Sequence, residues 1–115
     1  MAPTIVFNAD GKLLLTIGSP GGADIIAYVA QVLIAVLDWK LDVQQAINLP
    51  HFVNRNGPTE LEKDTRIVEL RRALEAKGHE IRLESMTSGL QGLQIKDGKI
   101  LGGADPRREG VGLGD

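Results

Sequence analysis

The run Ile25 to Leu37, IIAYVAQVLIAVL, constrains this chain more than any other stretch. Ile25, Val29, Val32, Leu33, Val36 and Leu37 recur at helical spacing. Ala27, Ala30, Ile34 and Ala35 make the opposite face apolar as well. A helix that is apolar nearly all round has to be covered on two sides. Its 13 residues include Gln31 and fall short of the about 20 apolar residues that span a bilayer. The run therefore predicts a buried core helix, and a second covering layer that this chain does not itself carry.

The helix follows the turn Gly18-Ser19-Pro20-Gly21-Gly22. Pro20 fixes one φ angle, and the glycine pair permits angles other residues avoid. Two readings stand side by side. Backbone N–H groups at the head of a helix can hold an anion or an oxyanion. The same residues also serve a plain strand-to-helix turn. There is no Gly-Lys-Ser/Thr, so this is not a P-loop, and no G-x-G-x-x-G is present.

Around this core the pattern predicts an α+β chain. TIVFNADGKLLLTIG reads as a hairpin turning at Asp10-Gly11, and GLQGLQIKDGKILGGAD as another turning at Asp97-Gly98. LDVQQAIN reads as a short helix capped by Asp42 and stopped by Pro50. HFVNRNGPTELE is a short extended piece with a loop-like middle. DTRIVELRRALEAKG reads as a surface helix capped by Asp64 or Thr65 and closed by Gly78. Glu62–Arg66 and Glu69–Arg72 would add about 0.2–0.5 kcal/mol each to it. HEIRLES alternates like a strand. The hairpins imply antiparallel pairing, with helices over one face of the sheet.

Composition narrows function by exclusion. The 115 residues carry 13 basic and 15 acidic side chains, a net charge of -2 that argues against nucleic-acid binding. With no cysteine there is no disulfide, zinc-thiolate site or thiol nucleophile. Aromatic residues make up only 3%, so the core must be aliphatic. The opening Met-Ala-Pro-Thr does not lead into a signal-peptide pattern.

Few side chains suggest chemistry. Asp38 and Asp42 flank Trp39 to Leu41 and read as a solvated residue and a helix cap. His51 and His79 are the only histidines and make a weak case for a metal. Asp105-Pro106-Arg107-Arg108-Glu109 reads as an exposed turn whose charges pair with each other, or as an arginine pair for a carboxylate or phosphate. Ser19, Ser85 and Ser88 lie outside any G-x-S-x-G setting.

The assembled motifs resemble a known family. GSPGG, QVL, VLDW, and the later Pro-x-Phe are similar to the C-terminal part of the small subunit of γ-glutamyltranspeptidases. MAPTIVF resembles that family's Met-Ser/Ala-Pro-Thr-Ile-Val, LEAKGHEI its Leu-Glu-x-x-Gly-His, and GGADPRREGVGLGD its ending Gly-Ala-(Ser/Asp)-Asp-Pro-Arg. The resemblance runs over nearly the whole chain. It implies an N-terminal-nucleophile hydrolase fold: an αββα sandwich of which residues 1–115 form a single incomplete domain. It also implies a precursor that cuts itself. The new N-terminal threonine attacks a γ-glutamyl amide, its free amine acts as the base, and the acyl group passes to water, an amino acid or a peptide. No metal or organic cofactor is implied.

By this resemblance Gly21 and Gly22 match the glycine pair whose N–H groups form the oxyanion hole. Ser19 and Pro20 match the residues that position that turn, and are assigned to substrate binding. The threonine, the arginine for the substrate carboxylate, the groups gripping its α-amine and a serine pair all precede the methionine matching Met1. One departure stands out: the family's Pro-Arg-Phe/Trp-His-His is here Pro50-His51-Phe52-Val53-Asn54. The expected partners are the rest of the precursor and a γ-glutamyl small molecule, with self-association of the isolated segment through uncovered apolar faces. The family suggests a periplasmic or extracellular setting. The chain alone is expected to be inactive. The alternatives are a non-catalytic binding or scaffold domain descended from such an enzyme, and an anion-binding module acting through the helix N-terminus.

Overall fold

A computed structural model of the chain describes residues 2–108, 110, 111 and 113. The elements are β1 (Thr4–Phe7), β2 (Leu13–Gly18), α1 (Ile25–Leu37), α2 (Val43–Asn48), β3 (Phe52–Asn54), β4 (Thr59–Glu62), α3 (Arg71–Ala76), β5 (Ile81–Glu84), β6 (Gln91–Lys96) and β7 (Lys99–Ala104). They form two compact units, one of Met1–Leu49 with Thr87–Asp115, the other of Pro50–Met86.

The first unit is an antiparallel sheet in the order β1-β2-β6-β7, with α1 and α2 packed on it. Both predicted hairpins form. In the first, the Asn8 side chain accepts from the N–H groups of Asp10 and Lys12, each at 3.0 Å. In the second, Asp97 and Gly98 take φ values of 53° and 77°, the two positive angles a tight primed turn needs. β2 then pairs with β6, Leu15 opposite Gln94, and joins the hairpins into one sheet.

Leu15 and Ile17 of β2, Val29, Val32 and Val36 of α1, Val43 and Ile47 of α2, and Leu90 make the aliphatic core. Gly92 and Gly103 face each other across β6 and β7. A Cβ on Gly103 would lie 2.9 Å from Ile47 Cδ1, and one on Gly92 3.1 Å from Val43 Cγ2. The bare backbone is what lets α2 sit down on the sheet. Two glutamine amides fix it there: the buried Gln94 accepts from Val43 N–H at 3.0 Å, and the half-buried Gln44 exchanges two bonds with Ala104 at 2.9 Å.

Asp42 caps α2 as expected, accepting from Gln45 N–H at 2.8 Å while Gln45 reciprocates to the Asp42 N–H at 3.1 Å. Asp42→Ala is expected to cost about 1 kcal/mol, read as a lower urea midpoint at unchanged slope.

α1 is covered on one side, where Tyr28, Val29, Val32, Ala35 and Val36 are buried. Ile26 remains 77% and Ile34 45% exposed, so the second cover predicted from the sequence is not supplied by the described residues. The far face of the sheet is apolar too. Register places Ile5, Thr16 and Leu93 side by side there, and Ile100 opposite Ile95, with Ile5, Leu93 and Ile100 exposed.

The second unit departs further from expectation. The extended piece is a full antiparallel hairpin of β3 and β4. Asn54 builds its turn, accepting from Asn56 N–H at 2.9 Å and donating to Thr59 Oγ1 at 2.8 Å. β4 pairs with β5 in parallel, an exception to the antiparallel expectation. The intervening helical segment is the crossover that a parallel pair requires. That segment opens as a 3-10 turn at Arg66–Leu70 and only then becomes α3. Thr65 donates its hydroxyl to Glu62 O at 2.7 Å, and neither it nor Asp64 caps the helix through its side chain. The predicted end does form: Gly78 sits at φ 93°, with its N–H bonded to Glu75 O at 3.0 Å and that of His79 to Leu74 O at 3.1 Å. On α3, Arg71 and Glu75 form a surface pair at 2.7 Å.

Candidate active site

The turn that opens α1 is built from unusual backbone. Gly21 lies at φ 138° and ψ 20°, and Gly22 at φ 63°. Both angles favour glycine. Space decides Gly21 a second time: a Cβ there would stand 2.7 Å from Cε2 of Tyr28, which is 1% exposed. Gly22 is exposed, and a Cβ on it would meet nothing within 4 Å. Gly22–Asp24 form a 3-10 turn that runs into the helix. The Asp24 N–H bonds Gly21 O at 3.3 Å, so the N–H groups of Gly21 and Gly22 stand ahead of the helical ladder.

Ser19 is fully buried beneath this turn. Its hydroxyl donates to Pro20 O at 2.6 Å and accepts from Gly89 N–H at 3.1 Å. Ser88, next in the chain to Gly89, is also buried and donates its hydroxyl to Asp105. Asp105 accepts from Leu90 N–H at 3.1 Å and returns its own N–H to Leu90 O at 2.9 Å.

Asp105 and Arg107 correct the reading of the terminal polar cluster as an exposed turn. Asp105 is 3% exposed, and Arg107 Nη1 pairs with it at 3.0 Å. The guanidinium also donates to Ile47 O at 3.0 Å and Leu49 O at 2.8 Å, closing the carbonyl end of α2. These bonds hold the arginine in the protein rather than presenting it to an anion. Arg108 donates from Nε to Thr87 O at 2.9 Å. Glu109 of that cluster, Met1, and Gly112, Gly114 and Asp115 of the tail lie outside the described residues, while Val111 and Leu113 are exposed.

The remaining candidates scatter. Asp38 is exposed at the end of α1, and Ser85 is exposed after β5. His79 is exposed, whereas His51 is fully buried, its N–H donating to Glu62 at 2.9 Å. Among the described residues no three His, Asp or Glu side chains gather in a way that holds a metal. Sequence reasoning missed Gly89 and the Ser88–Asp105 link. Neither sits in a motif, because their partners are distant in the chain.

A helix layer on an antiparallel sheet is the α+β arrangement expected of the C-terminal part of an N-terminal-nucleophile hydrolase sandwich. Its solved neighbours have that fold. An acivicin-inhibited γ-glutamyltranspeptidase superposes with a TM-score of 0.86 at 30% identity, over 95% of this chain and 61% of that one. A Bacillus anthracis transpeptidase superposes at 0.82 and 28% identity, over all of this chain and 70% of that one. The sequence model of the gamma-glutamyltranspeptidase family matches residues 1–114. The chain belongs to the γ-glutamyltranspeptidase family. It is 38% identical to the glutathione hydrolase proenzyme of Escherichia coli K12 over 109 residues, 93% of this chain and 19% of that protein. The Bacillus subtilis 168 glutathione hydrolase proenzyme is 30% identical over 99% of this chain and 20% of its own length. An acylase ACY 1 proenzyme of a Pseudomonas species is 29% identical over 96% of this chain. The chain thus spans about a fifth of the length of these curated relatives.

Proposed function

We propose that this segment supplies the oxyanion hole of an enzyme that moves γ-glutamyl groups from glutathione-like amides to water, amino acids or peptides. The observation that carries the reading is the Gly21–Gly22 turn: left-handed backbone, exposed at Gly22, at the head of α1. In this reading a threonine hydroxyl from the rest of the precursor attacks the γ-carbonyl carbon as the threonine's own free amine takes the hydroxyl proton. Negative charge develops on the carbonyl oxygen, and the Gly21 and Gly22 N–H groups donate to it. The tetrahedral centre collapses, the C–N bond breaks, and the threonine amine returns the proton to the departing amine. Water or an acceptor amine then takes the acyl group. Ser19 and Pro20 hold the turn against the substrate. No metal or organic cofactor enters this chemistry.

The partner is the remainder of the precursor. The exposed Ile26 and Ile34 on α1 and the apolar far face of the sheet are the surfaces it would cover, and the same faces would drive self-association of the segment alone. The purified 115-residue chain is expected to show no hydrolysis of a γ-glutamyl anilide above buffer, while a longer protein carrying it turns the anilide over. Turnover by the chain alone would sink the reading, because the nucleophile would then lie within it.

A further inference from the structure

We propose that Gly89 is a positioning residue: the Ser88–Gly89–Leu90 segment is the rest against which the Gly21–Gly22 turn is set. The inference rests on the oxyanion reading above and adds what holds that site in place.

Gly89 meets the turn in two ways. Its N–H donates to Ser19 Oγ at 3.1 Å, and Ser19 Oγ in turn donates to Pro20 O at 2.6 Å. Its bare Cα packs on the Pro20 ring, where a Cβ would lie 2.9 Å from Cγ and 3.0 Å from Cδ. Arg108 Cδ lies 2.8 Å from the same point. Gly89 is not in the left-handed region, unlike Gly21 and Gly22, so space and not backbone angle calls for glycine here.

The segment itself is held. Ser88 Oγ and Leu90 N–H both donate to Asp105, on either side of Gly89. Arg107 ties Asp105 to the last carbonyls of α2. A connected set of contacts therefore runs from the end of α2 to Pro20, one residue before the glycine pair. The nearest atoms that a methyl at position 89 would meet belong to Pro20 and Arg108. Arg108 is a flexible side chain, whereas Pro20 is fixed in φ and carries the turn with it.

The test is Gly89→Ala in a longer protein that carries this segment and turns over a γ-glutamyl anilide. An alanine removes no donor, so any effect is displacement. The expected result is a fall of about 10²-fold in kcat, the scale of a misplacement near 1 Å, at unchanged KM. Ser19→Ala, which deletes only the hydroxyl, is expected to lower kcat about tenfold, also at unchanged KM. In a Pro20→Ala background Gly89→Ala should cost less than in the parent, because the ring the methyl strikes is gone. Parental kcat in folded Gly89→Ala, a raised KM with unchanged kcat, or strict additivity with Pro20→Ala each overturns the proposal. If Gly89→Ala does not fold, Ser19→Ala decides: parental kcat there overturns it. Gly22→Pro separates the two levels. If that variant stays active the oxyanion reading falls. If it is dead while Gly89→Ala keeps parental kcat, only the positioning claim falls.

Discussion

Gly22→Pro is expected to abolish acylation in a longer protein that carries this segment. Loss of one oxyanion donor typically lowers kcat by about 10²–10³. Proline removes the N–H outright, and its φ near −65° cannot match the 63° seen at Gly22. Gly22→Ala is the control that separates these two effects. It keeps the N–H, and its Cβ would meet nothing within 4 Å. Its cost is the left-handed conformation, about 1–2 kcal/mol. Partial activity in Gly22→Ala beside a dead Gly22→Pro assigns the effect to the N–H. Equal activity in both would remove the oxyanion role.

Asp105→Ala is expected to be the most destabilising single change in the first unit. The carboxylate is the shared acceptor for Ser88 Oγ, Leu90 N–H, Arg107 N–H and the Arg107 guanidinium. Removing one partner of a buried ion pair costs about 3–5 kcal/mol, because the other charge is left behind. Against a typical total of about 5–15 kcal/mol that is a large fraction. A urea titration should show the midpoint fall accordingly, and Asp105→Asn, which keeps an acceptor oxygen, should fall less. A loss below about 1 kcal/mol, the size of an ordinary hydrogen bond, would mean that the network is not holding the fold.

Local rules made much of the fold readable. Asp97-Gly98 dictates a primed turn, Asp42 with Gln45 makes a reciprocal cap, and Gly78 ends a helix, each within a few residues of chain. What escaped depends on distance or on neutralised charge. The strand Thr59–Glu62 is acidic and follows Asn-Gly-Pro, so neither propensity nor pattern marks it, and its parallel partner lies beyond a helix. Asp105 and Arg107 look like surface residues in sequence. Asp105 is buried and Arg107 half-buried, because each neutralises the other and backbone groups take the remaining bonds.

The candidate site divides the same way. The glycine pair is visible as a turn, but its chemistry comes from the family resemblance and not from the residues alone. Gly89 carries no local signal. Its bond to Ser19 spans 70 residues of sequence, and only packing reveals why it lacks a side chain. The apolar excess of α1 was the most informative single feature. Half of it is used within this unit, and the exposed remainder is what a larger protein would cover.

The central claim is that Gly21 and Gly22 donate to the oxyanion. The most direct measurement is a crystal structure of a longer protein carrying this segment, bound to a tetrahedral γ-glutamyl analogue such as a boronate or phosphonate. The account predicts one analogue oxygen about 2.7–3.1 Å from both the Gly21 and the Gly22 nitrogen. An analogue oxygen held by other donors, with both glycine nitrogens beyond hydrogen-bond reach, would contradict it.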